Sequence, residues 1–330
     1  MRRRQFIGGL GATAAWSAGS RHGLAAGAPL VAMAYSGRAT DPVVPERMAA
    51  FAEGLAAQGW TRGESVDIAI RYASADPALM DSVARELLAI EPAALFSVTT
   101  PNTRSVLKLT QDVPVVFIQV SDPVASGFVE SLARPGHNAT GFTNFEPAMA
   151  GRWLELLKEL APKTSRVGAL FNPETAVRRG RFFLDGLKPA ASRAALTVEY
   201  LEVGSDDDIV AKVKGLAAKP NSGLVIIPDT FTATHRHTIV DAARRFEIAT
   251  VYWDRQFPEA GGLISYGNDI TDHFRAGGDY IGRILNGASP AELPVQAPTK
   301  FQLLLNLQTA AAQGITVPPG LLAAATQVIE

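Results

Sequence analysis

Val113-Pro114-Val115-Val116-Phe117-Ile118-Gln119-Val120-Ser121-Asp122-Pro123 reads as a buried strand that ends on a capping residue and a proline. The apolar run is short and rich in branched residues, which suits a strand. Aspartate can accept from first-turn N–H groups, and proline tolerates the first helical position because its missing N–H would have no partner there. Thr100-Pro101 and Asn172-Pro173 repeat the pattern after the runs 94–98 and 166–171. A strand that feeds a capped helix start is the repeating unit of a parallel α/β sheet.

Working outward, strands are predicted at 30–35, 66–72, 94–98, 113–120, 166–171, 196–203, 223–228, 248–253, 263–266 and 301–306. Helical periodicity is predicted over 45–58, 77–89, 101–111, 148–160, 174–190, 206–218, 233–245, 270–285 and 307–313. In 148–160 the stripe Trp153, Leu156, Leu157 and Leu160 marks a core-facing side. Ten strands are too many for one small sheet, and 330 residues exceed one ordinary domain. The passage 121–146 is strand-poor and separates two βα series, which predicts two doubly wound parallel-sheet lobes with a first crossing there. The proline-bearing passage 286–300 predicts another connection.

Composition removes whole classes of function. There is no cysteine, which excludes disulfides, thiolate nucleophiles, cysteine-based metal sites and cysteine-linked lipid anchors. A formal charge of -1 presents no basic surface to nucleic acid. At the amino terminus, Arg2-Arg3-Arg4-Gln5-Phe6-Ile7 precedes an apolar stretch over 8–18 and small residues at Ala25, Ala26 and Ala28. That order describes a signal peptide over 1–28, cleaved near 25–28, and Arg3-Arg4 before Gln5-Phe6-Ile7 resembles the twin-arginine motif. Neither this stretch nor any later one is long enough to span a bilayer. Gly9-x-Gly11-x-x-Ala14 has arginines before it instead of a strand, so it is not a dinucleotide fingerprint.

In open α/β sheets, ligands bind outside the carboxyl ends of the strands. The residues at those places are Ser36-Gly37, Thr99-Thr100, Ser121-Asp122, Asn172, Asp229-Thr230 and Asp254, with Trp253 closing its own strand. Helix starts among them offer free N–H groups and a positive dipole end to a carboxylate, although capped βα turns also occur for purely structural reasons. Asp229 could pair with a ligand ammonium or simply cap the turn that follows it. Trp253 and Tyr35 could stack on a planar ligand or belong to the core. Catalysis has no positive signal: His235 and His237 are two apart and point to different helix faces, and neither a Gly-x-Ser-x-Gly elbow nor a phosphate loop occurs. No metal or cofactor is expected.

Three strings carry a family resemblance: Ser121-Asp122-Pro123-Val124-Ala125-Ser126-Gly127, Arg134-Pro135-Gly136-His137-Asn138-Ala139-Thr140-Gly141 and Glu259-Ala260-Gly261-Gly262-Leu263-Ile264-Ser265-Tyr266-Gly267. With Leu293-Pro294-Val295-Gln296-Ala297-Pro298-Thr299-Lys300-Phe301 and Gly314-Ile315-Thr316-Val317-Pro318-Pro319, they resemble bacterial ABC transporter substrate-binding proteins, in the branch that includes tryptophan and other aromatic amino acid binders. The resemblance spans about residues 30 to 328. It implies the type I periplasmic-binding fold, two lobes with three crossings and a hinged cleft. One lobe would take 29–144 and about 256–287, the other 145–255 and about 288–330. It also implies a monomer in the periplasm that passes a small organic ligand, an amino acid or related carboxylate, to a membrane permease and its ATPase. It lines the expected cleft with Ser36, Thr99, Thr100, Ser121, Asp122, Asn172, Asp229 and Trp253 of those strand ends, and Thr143 and Asn144 join through the resemblance alone. Val98-Thr99-Thr100 departs from the more glycine-rich turn of the family, and 229–232 matches it poorly. Rival readings are a ligand sensor for a receptor, an α/β enzyme and, given the same two-lobed fold, a transcription regulator. A regulator would need a DNA-binding helix pair where the signal peptide stands.

Overall fold

All ten predicted strands are present in the computed structural model, which describes residues 27–73, 76–144 and 149–330. The first lobe contains β1 (Leu30–Ser36), α1 (Val44–Ala57), β2 (Asp67–Ala73), α2 (Pro77–Ala89), β3 (Ala94–Val98), α3 (Thr100–Leu107), β4 (Val115–Val120) and β5 (Ala139–Thr143). Its five strands are parallel, in the order β2-β1-β3-β4-β5. β5 lies inside the passage expected to be strand-poor. Ala-Thr-Gly-Phe-Thr lacks a branched apolar run, and Gly141 looks like a loop residue. It is required because a Cβ at its φ of +150° would overlap the Phe117 carbonyl of β4.

The second lobe continues with α4 (Met149–Leu160), β6 (Arg166–Phe171), α5 (Arg181–Arg193), β7 (Thr197–Glu202), α6 (Asp206–Ala217), β8 (Ser222–Ile226), α7 (Thr230–Thr234), α8 (Arg236–Arg245), β9 (Thr250–Tyr252), α9 (Gln256–Glu259) and β10 (Ile264–Asn268). Then come α10 (Ile270–Leu285), β11 (Phe301–Asn306), α11 (Leu307–Ala312), α12 (Pro319–Ala324) and β12 (Gln327–Ile329). The sheet order is β12-β11-β10-β9-β8-β6-β7, parallel except between β10 and β11. Three predicted helices differ, the first being that over 101–111, which ends at Leu107 as α3. The one over 174–190 begins with a 3-10 turn at Val177–Gly180, where Arg178 and Arg179 have positive φ. The one over 233–245 is broken at His235 into α7 and α8.

Each sheet is covered on both faces by helices. In the first lobe α1 and α10 bury Phe51, Leu55, Phe274 and Ile281 on one face, while α2 and α3 bury Met80, Leu87 and Val106 on the other. The Trp153 stripe of α4 is buried in the second lobe as expected.

The chain passes between lobes after β5, after β10 and before β11. α10 leaves β10 and packs on α1 in the first lobe. The chain then runs beside β5, with Gln296 bridged to Phe142, and re-enters the second sheet from the cleft end. β11 therefore runs opposite to β10, and Asp269 N–H donates to the Lys300 carbonyl at 3.0 Å where the two crossings touch. The expected lobe limits differ from this path: β10 belongs to the second sheet rather than to a segment from 256, and 293–296 lies beside β5 rather than in the second lobe. At the same joint the ring of His273 on α10 is buried, its Nδ1 3.1 Å from Gln119 Nε2 and 3.2 Å from Asn268 Nδ2. Burial pulls its pKa down to about 4, so the ring is neutral at pH 7. The signal peptide expected over 1–28 lies outside the described residues apart from its last two positions, and no described helix is long and apolar enough to cross a membrane.

Candidate functional site

The carboxyl ends of both sheets face one cavity of about 250 Å³. From the first lobe it is walled by Ser36 at the end of β1, Thr99 and Thr100 after β3, Gln119 and Ser121 at the end of β4, and Asn144 after β5. From the second lobe come Thr175, Asp229, Thr230, Arg236, Trp253 and Asp254. Seven of the ten expected site residues thus meet there: Ser36, Thr99, Thr100, Ser121, Asn144, Asp229 and Trp253.

Asp122, Thr143 and Asn172 are not on the cavity wall, and each is engaged elsewhere. Asp122 accepts from Ala125 N–H at 3.0 Å and stands 3.7 Å from Arg178 across the cleft mouth. Thr143 donates its backbone N–H to the Gln296 carbonyl at 2.8 Å. Asn172 accepts from the N–H groups of Glu174 and Thr175 through Oδ1 and donates to the Val203 carbonyl through Nδ2. The expectation that three Xaa-Pro caps start helices facing the cleft holds only in part. No helix follows Asp122, the helix after Asn172 is delayed, and Thr100 is already inside α3.

Thr99 occupies the position before α3 with φ +80° and ψ 153°, a conformation disfavoured for a β-branched residue. The surroundings hold it there: its Oγ1 lies 2.8 Å from Ser36 Oγ, its N–H donates to the Ile118 carbonyl, and its carbonyl accepts from Thr103 Oγ1. Such strain costs of order 1–3 kcal/mol and is met where a side chain is positioned for a task. The backbone shape is one that glycine adopts freely and that threonine adopts only at a cost.

Asp229 is buried at the carboxyl end of β8, and both competing readings find a place. It caps α7, accepting from Thr232 N–H at 2.6 Å. It also accepts from Asn172 N–H at 2.9 Å and Thr175 Oγ1 at 3.2 Å while standing on the cavity wall. Burial pushes its pKa up to about 6 against the opposing pull of those donors. Two further buried atoms on the wall, Asn144 Oδ1 and Thr230 Oγ1, have no hydrogen-bond partner among the described residues. An unmet buried polar group costs about 1–3 kcal/mol, so these are places where a polar ligand would be stabilising. Trp253 borders the cavity with its ring edge-on to Phe257, whereas Tyr35 belongs to the core against Tyr72 and Phe274.

Reading for strand ends missed Arg47, Gln119 and Arg236, because such reading examines only the residue after each run. Arg47 comes from α1 and reaches the cavity from the helix. A signal existed: Val44, Arg47, Phe51 and Leu55 share one buried face, and an arginine in an apolar stripe is out of pattern. His237 also lines the cavity, whereas His235 is 2.8 Å from Asp206 and stacks on Phe231. Among the described residues no group of three His, Asp or Glu side chains could hold a metal ion.

Comparison with known proteins gives a consistent set of relatives. The ABC transporter substrate binding protein family matches residues 40–329. The "Tyrosine-binding protein" of Clostridioides difficile (strain R20291) is 22% identical over 268 residues, covering 81% of this chain and 76% of that protein. Among solved structures, an ABC domain from Streptococcus pneumonia in complex with L-Trp is 26% identical with a TM-score of 0.82, covering 91% of this chain and 99% of that one. A conserved domain protein from Vibrio cholerae is 25% identical with a TM-score of 0.83, covering 92% and 100%.

Proposed function

We propose that this chain, which belongs to the ABC transporter substrate-binding protein family, is exported to the periplasm and captures an amino acid or related carboxylate for an ABC importer. The cavity between the lobes carries the proposal, because both lobes contribute polar groups to it and two of those groups, Asn144 Oδ1 and Thr230 Oγ1, are buried without partners among the described residues. A ligand that satisfies them from both sides favours hinge closure over the open state. The tyrosine and tryptophan named for its relatives support an amino acid as cargo.

Export rests on the basic, apolar and small-residue order over 1–28, with Arg3-Arg4 pointing to the twin-arginine route. In this role the protein is a monomer, performs no reaction, and hands its ligand to a permease and ATPase. Among the seven wall residues anticipated from sequence, Asp229 pairs with the ligand ammonium, and Trp253 covers its side chain.

Thermal unfolding against a panel of amino acids, aromatic acids, sugars and nucleosides tests capture. A ligand at about 100 times its Kd should add about 2.7 kcal/mol of stability. Stabilisation confined to amino acids supports the proposed cargo. A shift from sugars or nucleosides alone would replace it, and turnover of any stabilising compound would contradict a purely binding role.

A further inference from the structure

We propose that Arg47 is the anchor for the ligand's carboxylate. This rests on the reading of the cleft as a capture site and adds to it the group that recognises the cargo's acid function. Arg47 is nine-tenths buried on α1 and borders the cavity. Its Nη1 donates to Tyr35 Oη at 3.0 Å, and its guanidinium carbon lies 5.8 Å from the centre of the Phe274 ring. The phenol and the ring fix the guanidinium in place, and neither carries a charge to neutralise it.

Other cations near the cleft are already paired or more exposed. Arg178 stands 3.7 Å from Asp122, and Arg255 pairs with Glu46 and Glu259. Arg236 is half-buried and donates to the Ala233 carbonyl, while Arg38 is exposed. Arg47 has no carboxylate within 4.0 Å among the described residues, unlike these pairs. A buried charge without a counter-ion is unfavourable, and guanidinium presents five N–H donors in a planar fork that matches a carboxylate. One donor meets Tyr35, so the fork retains capacity for a bidentate anion.

The position also explains how binding would couple to closure. Arg47 belongs to the first lobe, and the buried Asp229 carboxylate stands on the second. A zwitterion with its carboxylate on Arg47 and its ammonium on Asp229 neutralises both charges only when it touches both lobes.

The test uses the purified protein, Arg47→Gln and Arg47→Lys, with melting temperature and titration calorimetry as readouts. The probes are L-tyrosine, L-tryptophan, their decarboxylated counterparts tyramine and tryptamine, and 3-phenylpropionate, which keeps the acid and lacks the amine. The expected result is stabilisation of the unsubstituted protein by the amino acids and none by the amines. Arg47→Gln should weaken amino acid binding about 30-fold or more, as expected for loss of a charged hydrogen bond, and Arg47→Lys should lie between. Equal affinity for tyrosine and tyramine in the unsubstituted protein would overturn the role of Arg47 without any variant. Undiminished amino acid binding by Arg47→Gln would overturn it too, leaving amino acid capture intact. Stabilisation by 3-phenylpropionate but by no amino acid would support Arg47 and reject amino acids as cargo. No stabilisation by any amino acid or other acid, with stabilisation by a sugar or nucleoside instead, would overturn both proposals.

Discussion

Asp229 has a carboxyl group whose environment works against its charge, and this makes the site sensitive to pH. Its pKa rises from 3.8 to about 6 because burial outweighs the donors from Asn172, Thr232 and Thr175. Between these values the folded protein binds more protons than the unfolded chain, so ligand-free stability should fall as pH rises from about 4 through 6. A tenfold difference in proton affinity between folded and unfolded chains is worth about 1.4 kcal/mol, which sets the scale of that slope. A ligand ammonium would reverse the preference, so amino acid affinity should increase over the same interval. Melting temperature and calorimetric affinity measured at several pH values check both slopes. Asp229→Asn should flatten the stability profile and weaken amino acid binding by about 2 kcal/mol or more, through loss of a charged hydrogen bond. Unchanged affinity in that variant would remove the ammonium role and leave Asp229 a helix cap.

At the scale of elements, the joint between α1 and α10 ties the first lobe to the chain that returns from the second. Gly54 and Gly278 let the two helices touch at the backbone: a Cβ on Gly54 would overlap the Arg275 carbonyl, and one on Gly278 the Phe51 carbonyl. Gly54→Ala should therefore cost about 1–3 kcal/mol despite alanine's better helix propensity. Gly215 in α6 has open space around its Cβ direction, so Gly215→Ala should stabilise by about 0.5–1 kcal/mol. Opposite shifts in urea midpoint check the pair. Elements with strong local signals were legible in sequence: β3, β6, β11, α2 and α10 have the predicted limits. β5 and β12 were not, because each gains its strand conformation from a neighbour, β4 and β11, rather than from an apolar run of its own. The cavity residues after strands were legible for the same reason the strands were. Arg47 is out of pattern in the apolar stripe of α1, but that signal does not say that this face turns toward the cleft, which the packing of α1 on α10 reveals.

At the scale of the whole molecule, two sheets direct their carboxyl ends at one cavity, and the crossings lie side by side beneath it. His273 joins the ends of β4 and β10 at that place as a neutral ring, held by Gln119 and Asn268. Partly exposed ion pairs cross the mouth, Asp122 with Arg178 and Glu46 with Arg255, and pairs of this kind contribute about 0–1 kcal/mol each. Under the proposed capture role, the ligand adds to these contacts through the buried groups of both lobes. The most direct test is a crystal structure of the protein with the panel compound that stabilises it most. Capture in the cleft predicts one ligand between the lobes, its acid group on Arg47 and its amine beside Asp229. A ligand bound elsewhere, or touching one lobe only, would contradict it.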